Sequence, residues 1–109
     1  MIKKFKGLIY PDEYLIKFFF KEKLNKVKKK VLELGCGSGN NLNLFYQHNW
    51  DITGVDNNSK NISDAKINFK YIKKKLILNN NFNFFKEDML LYLKKIKHLN
   101  FDTIIFSNS

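Results

Sequence analysis

Three glycines crowd into five positions of VLELGCGSGNNL, residues 31–42, between an apolar run and a polar run suited to a helix. A short buried strand ending in such a turn constrains this chain more than any other feature. Glycine tolerates the positive φ a sharp turn needs and lets another molecule approach the backbone closely. The candidates for that molecule are a dinucleotide, a phosphate or another adenosine-bearing compound.

The spacing separates them. Gly35, Gly37 and Gly39 form G-x-G-x-G, with Glu33 two residues before the first. A dinucleotide fingerprint, G-x-G-x-x-G, needs glycine where this chain has Asn40, and a Walker-type loop needs a lysine that does not follow. Glu33 would also repel a pyrophosphate and attract an ammonium or sulfonium group. The blander reading is a tight strand-to-helix turn and nothing more. Against it stands Asp56, 21 positions beyond Gly35, close to the spacing at which a carboxylate meets ribose hydroxyls. Alone, Asp56 reads equally well as a turn residue of DNNS.

The apolar period alternates between helix and strand along the whole chain. After Pro11, Asp12 and Glu13 suit a helix start, and Ile16, Phe20, Leu24 and Val27 then share one helical stripe. KKKVLEL, WDITGVD, FNFFKED and FDTIIF read as strands. Between them, NNLNLFYQHN reads as a helix with Leu42, Phe45 and Tyr46 on one side. A longer helix follows Ser59 as N-cap, with Ile62, Ala65, Phe69, Ile72 and Leu76 inward and Lys66, Lys70, Lys73 and Lys74 outward. MLLYLKKIKHL is the last helix, and the asparagines at 79–81 form a loop. Alternation of this kind predicts an α/β fold: a Rossmann-like, mostly parallel sheet of about four strands in the order 3-2-1-4, with helices on both faces. Ligands of such sheets sit beyond the carboxyl ends of the strands. The glycine turn, Asp56 and Asp88 all fall there.

With these residues in place, the chain resembles the class I S-adenosylmethionine-dependent methyltransferases. VLELGCGSGNNL is similar to their first motif, GVDNNSKNISDAK to the second, FFKEDML to the third, and FDTIIF to the strand leading into the fourth. YPDEYLIKFF resembles a lead-in helix that closes over the cofactor in some members. The resemblance implies S-adenosylmethionine as cofactor and methyl transfer as the activity. Residues 1–28 would be the lead-in helix packing over the site, and residues 29–109 the cofactor-binding half of the domain. Gly35, Cys36, Gly37 and Gly39 would line the backbone approach, and Glu33 would orient the methionine end. Asp56, with Asn57 beside it, would hold the ribose. Asp88 and Met89 would meet the adenine, although Asp88 serves equally as a helix N-cap. No catalytic base and no metal ligand is named.

The pattern departs from the family at its end. FSNS, residues 106–109, stands where some members carry Asn/Asp-Pro-Pro-Tyr, and Ser107, Asn108 and Ser109 read as exposed terminal residues. The fourth strand would be left as an apolar edge. The expectation is a fragment or truncated domain whose missing half supplies most acceptor contacts; a partner covering that edge, or a dispensable missing half, are the alternatives.

Composition narrows the remaining classes. The formal charge is +10, but all twenty basic residues are lysine. Arginine is the usual reader of bases and clamp for phosphate, so nucleic acid is disfavoured and the lysines read as solvated faces. One cysteine excludes an internal disulfide and fits a reducing compartment. No run has membrane-spanning length, so the expected location is cytoplasmic. Cys36 lacks an activating partner, and His48 and His98 read as surface residues. The acceptor is expected to be a small molecule. Two other readings stay open: half of an NAD-binding Rossmann oxidoreductase, which Asn40 and Glu33 oppose, and a non-catalytic module. The latter would bind S-adenosylmethionine or dock its aromatic N-terminal helix on membrane or RNA.

Overall fold

The computed structural model describes residues 12–96 and 100–107. Asp12 caps the first helix, α1 (Glu13–Lys21), by accepting the Leu15 N–H at 3.0 Å. Four strands follow, β1 (Lys30–Leu34), β2 (Asp51–Asp56), β3 (Phe82–Lys86) and β4 (Thr103–Phe106). They alternate with α2 (Asn40–Tyr46), α3 (Ser59–Leu76) and α4 (Met89–Lys95). All strands pair in parallel in the order β3-β2-β1-β4, the order the sequence predicts.

The topology follows from handedness. Crossovers through α2 and α3 run the same way along the sheet, and right-handed connections put both helices on one face. After β3 the chain doubles back through α4, on the other face, to lie beside β1. The pleat sends Val31, Ile52 and Phe84 toward α1, α2 and α3, where Phe19, Leu42, Phe45, Tyr46, Trp50 and Phe69 complete the main core. Leu32, Leu34 and Val55 face the other way, against Tyr92, Leu93, Ile96 and Ile104. β1 and β2 are central and buried, whereas β3 and β4 are partly exposed edges.

The structure corrects three local expectations. The first helix does not carry its stripe through Leu24 and Val27: it ends at Lys21, and Lys23 turns the chain at φ 57°. A 3-10 turn follows, held by a bond from Trp50 Nε1 to the Leu24 carbonyl (2.9 Å). Phe19, not Phe20, is therefore the buried aromatic. The cap of α3 is Asn58, whose side chain accepts the Asn61 N–H at 3.0 Å, so Ser59 is the first helical residue. Leu76, expected to face inward, is exposed at the last turn of α3.

The 79–81 loop does more than connect. Asn80 Nδ2 donates to the Tyr46 and Trp50 carbonyls at 2.8 and 2.6 Å, and its own carbonyl accepts from Tyr46 Oη and Lys73 Nζ. Asn80→Ala is expected to lower stability by about 2 kcal/mol, since both carbonyls lose their amide partner. Urea denaturation checks this; a loss below about 0.5 kcal/mol would show that water replaces the amide.

Candidate functional site

The carboxyl ends of the strands come level at one edge, and the glycine turn sits there between β1 and α2. Gly35, Gly37 and Gly39 all have positive φ, at 78°, 59° and 96°. Their surroundings differ. A Cβ on Gly39 would stand 2.6 Å from the Phe69 ring, so this glycine exists to let the turn meet the core. A Cβ on Gly37 would meet nothing within 4 Å, so that backbone is open to a visitor. Gly35 and Cys36 both donate their N–H to the Val55 carbonyl, which folds the turn back over β2.

Asp56 faces this turn. Its Oδ2 accepts the Gly37 N–H at 2.8 Å and its Oδ1 the Asn58 N–H at 2.9 Å, so one buried carboxylate fastens the turn to the start of α3. The two features singled out in the sequence are thus in direct contact. A cavity of about 210 Å³ opens beside them, lined by Gly35, Asp56, Asn57, Glu87, Asp88, Met89 and Ser107. Asp88 caps α4, its Oδ2 accepting the Leu90 and Leu91 N–H groups at 3.0 and 3.1 Å. It lines the cavity as well as capping the helix.

Glu33 stands apart from the others. It is only 1% exposed on β1. Oε2 accepts from Asn41 Nδ2 at 3.0 Å and, in a very short contact, from Ser107 Oγ. Oε1 is buried and has no hydrogen-bond partner among the described residues. Burial pushes its pKa from an ordinary 4.5 to about 7, with the Ser107 and Asn41 bonds opposing the rise and the Asp56 charge adding to it. Ser107 lines both the first cavity and a neighbouring one of about 510 Å³, formed with Asp12, Tyr14, Leu15, Asn41, Ile105 and Phe106.

Cys36 is the candidate whose side chain turns away. It is 6% exposed and packs in the main core; burial, then Glu33 and Asp56, hold its thiol protonated. Only its backbone belongs to the turn. His48 is half-buried, with Nδ1 2.7 Å from the Leu44 carbonyl and Phe19 and Phe20 packed on its ring, so it is not the surface residue expected. His98, Asn108 and Ser109 lie outside the described residues. Among the described residues no three acidic, histidine or cysteine side chains gather as metal ligands, and no helix is long and apolar enough to cross a membrane.

Three residues of this edge escaped the sequence reading. Asn41 and Ser107 reach Glu33 across 8 and 74 positions. Ser107 is a carboxylate partner and not the bland terminal serine expected. Gly54, opposite Glu33 in the β1–β2 pairing, has no room for a side chain, since a Cβ would lie 2.7 Å from Cys36 Sγ and from the Phe84 ring. Its signal was present, a lone glycine inside a strand, which marks close backbone approach. A roomier hollow, about 740 Å³, lies instead at the amino ends of the strands, among Lys28, Lys29 and Lys30. Size alone favours it, but the carboxyl-end edge has the glycine turn and the convergent carboxylates Asp56 and Asp88.

Comparison with known proteins agrees with this fold. An S-adenosylmethionine-dependent methyltransferase from Agrobacterium tumefaciens superposes with a TM-score of 0.72 at 19% identity, over 90% of this chain and 32% of that one. Magnesium protoporphyrin IX methyltransferase from Synechocystis, solved with bound cofactor, gives 0.61 at 19% identity, over 86% and 41%. A chain solved in work on converting a disulfide bond into a thioacetal group during echinomycin biosynthesis gives 0.63 at 25% identity, over 91% and 37%. This chain therefore spans between about a third and two fifths of those chains. No curated protein matches it. The family profile described as "Methyltransferase domain" matches residues 25–109, most of the sequence, and the chain belongs to that family.

Proposed function

We propose that the chain is the S-adenosylmethionine-binding half of a cytoplasmic methyltransferase, whose acceptor is a small molecule held largely by other parts of the protein. The observation that carries the reading is the pairing of Asp56 on one side of the glycine turn with the unmatched Glu33 Oε1 on the other. A buried carboxylate oxygen without a donor is costly, and an ammonium group would satisfy it. Asp56, which fastens the turn from the end of β2 and lines the cavity, would meet the ribose hydroxyls. Gly37 leaves its backbone open, and Asn57, Asp88 and Met89 would line the path of the base.

The cofactor, when bound, supplies a methyl group made electrophilic by its sulfonium. The chain's own residues then contribute orientation and exclusion of water, effects that reach about 7–11 kcal/mol in well-aligned systems. A carboxylate at each end fixes the long axis of the ligand, and the rigid turn between them holds its centre. The same pair disfavours dinucleotides, because a pyrophosphate would lie against Glu33 and Asp56.

Calorimetric titration with S-adenosylhomocysteine, NAD and ATP tests the proposal. Only S-adenosylhomocysteine is expected to bind, and Asp56→Ala to weaken it by about tenfold or more, the loss of one charge-assisted bond. Tight NAD binding without a response to S-adenosylhomocysteine would assign the site to a nicotinamide cofactor instead.

A further inference from the structure

Asn41 connects two elements that the glycine turn does not. Its Oδ1 accepts the Asp12 N–H at 2.7 Å, at the N-terminus of α1, and its Nδ2 donates to Glu33 Oε2 at 3.0 Å. The orientation of this amide is forced. A backbone N–H can only donate, so a flipped amide would set its own N–H groups against that of Asp12. Ser107, just past β4, donates to the same Glu33 oxygen. Two donors on Oε2 fix the carboxylate's rotation and leave Oε1 as the free acceptor.

We propose that Asn41 is a positioning residue: its one amide locks Glu33 Oε2 and the start of α1 together, so that Oε1 is held ready for the ammonium group of the ligand's amino-acid end. This inference rests on the function proposed above. Around Glu33, Asp56 on β2 is the charged neighbour, and the buried Cys36 thiol is uncharged. Ser107 and Asn41 supply its stabilising donors, while Asp12 contributes its backbone and uses its own carboxylate on Leu15. Removing Asn41 therefore takes one of two donors from the ionised form, and Glu33 should hold its proton to higher pH.

The test compares two ligands that share the nucleoside. S-adenosylhomocysteine carries the ammonium group and 5′-methylthioadenosine does not. In Asn41→Ala, affinity for the first is expected to fall about tenfold at pH 7, as a hydrogen bond to a charged group implies. Affinity for methylthioadenosine should stay within about twofold, the selectivity a positioning role demands. Asn41→Asp keeps the acceptor for Asp12 but sets a second carboxylate against Glu33, so it should lose more. The Glu33 carboxyl resonance, followed by NMR in the unliganded protein, should titrate at higher pH in Asn41→Ala than in the wild type.

Equal losses for both ligands would mean that Asn41 only supports the fold, and an unmoved Glu33 titration would overturn the proposal without any ligand. Should wild type bind methylthioadenosine but gain nothing from the amino-acid end, the role given to Oε1 fails. Should it bind neither ligand, the functional reading itself fails, and this inference with it.

Discussion

Gly39→Ala is expected to lower the stability of the fold by about 2–5 kcal/mol. Two penalties add. At φ 96° an alanine sits in left-handed space, which costs about 1–2 kcal/mol. Its methyl would also stand 2.6 Å from the edge of the Phe69 ring. That ring cannot swing aside. It is fully buried in the middle of α3 and wedged against Tyr46, Phe82 and Phe84. Forcing an extra carbon into such a core costs about 1–3 kcal/mol. The expected loss is a large share of a domain's usual 5–15 kcal/mol. Urea denaturation of Gly39→Ala, Phe69→Leu and the double variant separates the two terms. The double should lose about 1–2 kcal/mol less than the singles sum to, because the shortened side chain makes room while the strained φ remains. A Gly39→Ala protein within about 1 kcal/mol of wild type would mean that the turn relaxes without penalty.

What the sequence discloses and what it hides divide along contact range. The helix start at Asp12 and Glu13, the glycine turn, Asp56 facing that turn and the 3-2-1-4 order all follow from chemistry within a few residues or from crossover handedness, and all were legible. Asn41, Ser107 and Asn80 were not. Each acts through a partner that only the folded sheet brings near: Ser107 reaches Glu33 over 74 positions, and Asn80 reaches Tyr46 over 34. Periodicity chose Phe20 over Phe19 because it aligned the stripe on Leu24 and Val27, which lie beyond the helix end at Lys21 and the left-handed Lys23. Ser59 lost the cap to Asn58 because DNNS offers adjacent residues of similar capping strength. The glycines shared one motif but not one purpose. Gly39 and Gly54 make room for the core, and Gly37 faces open space.

Glu33 carries the second large effect, and its sign separates stability from function. The folded protein raises this carboxyl from 4.5 to about 7. Between those values it therefore holds a proton that the unfolded chain has released. Stability contributed by the site is greatest below pH 4.5, falls as pH rises through that window and is level above it. The full drop is on the order of 3 kcal/mol. Glu33→Gln removes the titration while keeping an oxygen for Asn41 and Ser107. Unfolding free energies of variant and wild type, measured in urea from pH 4.5 to 8, should converge at the acid end. They should separate above it until the variant is more stable by about 2–3 kcal/mol at pH 8. Curves that stay parallel across the window would show that Glu33 is not strained by burial. Ligand should close that gap. S-adenosylhomocysteine is expected to raise the stability of wild type, by about 2.7 kcal/mol at a hundredfold excess over its dissociation constant. It should do little for Glu33→Gln, whose amide would oppose an ammonium group with a second donor. A buried carboxylate kept at a loss in the empty fold, and matched only by a cationic ligand, is the physical content of the site.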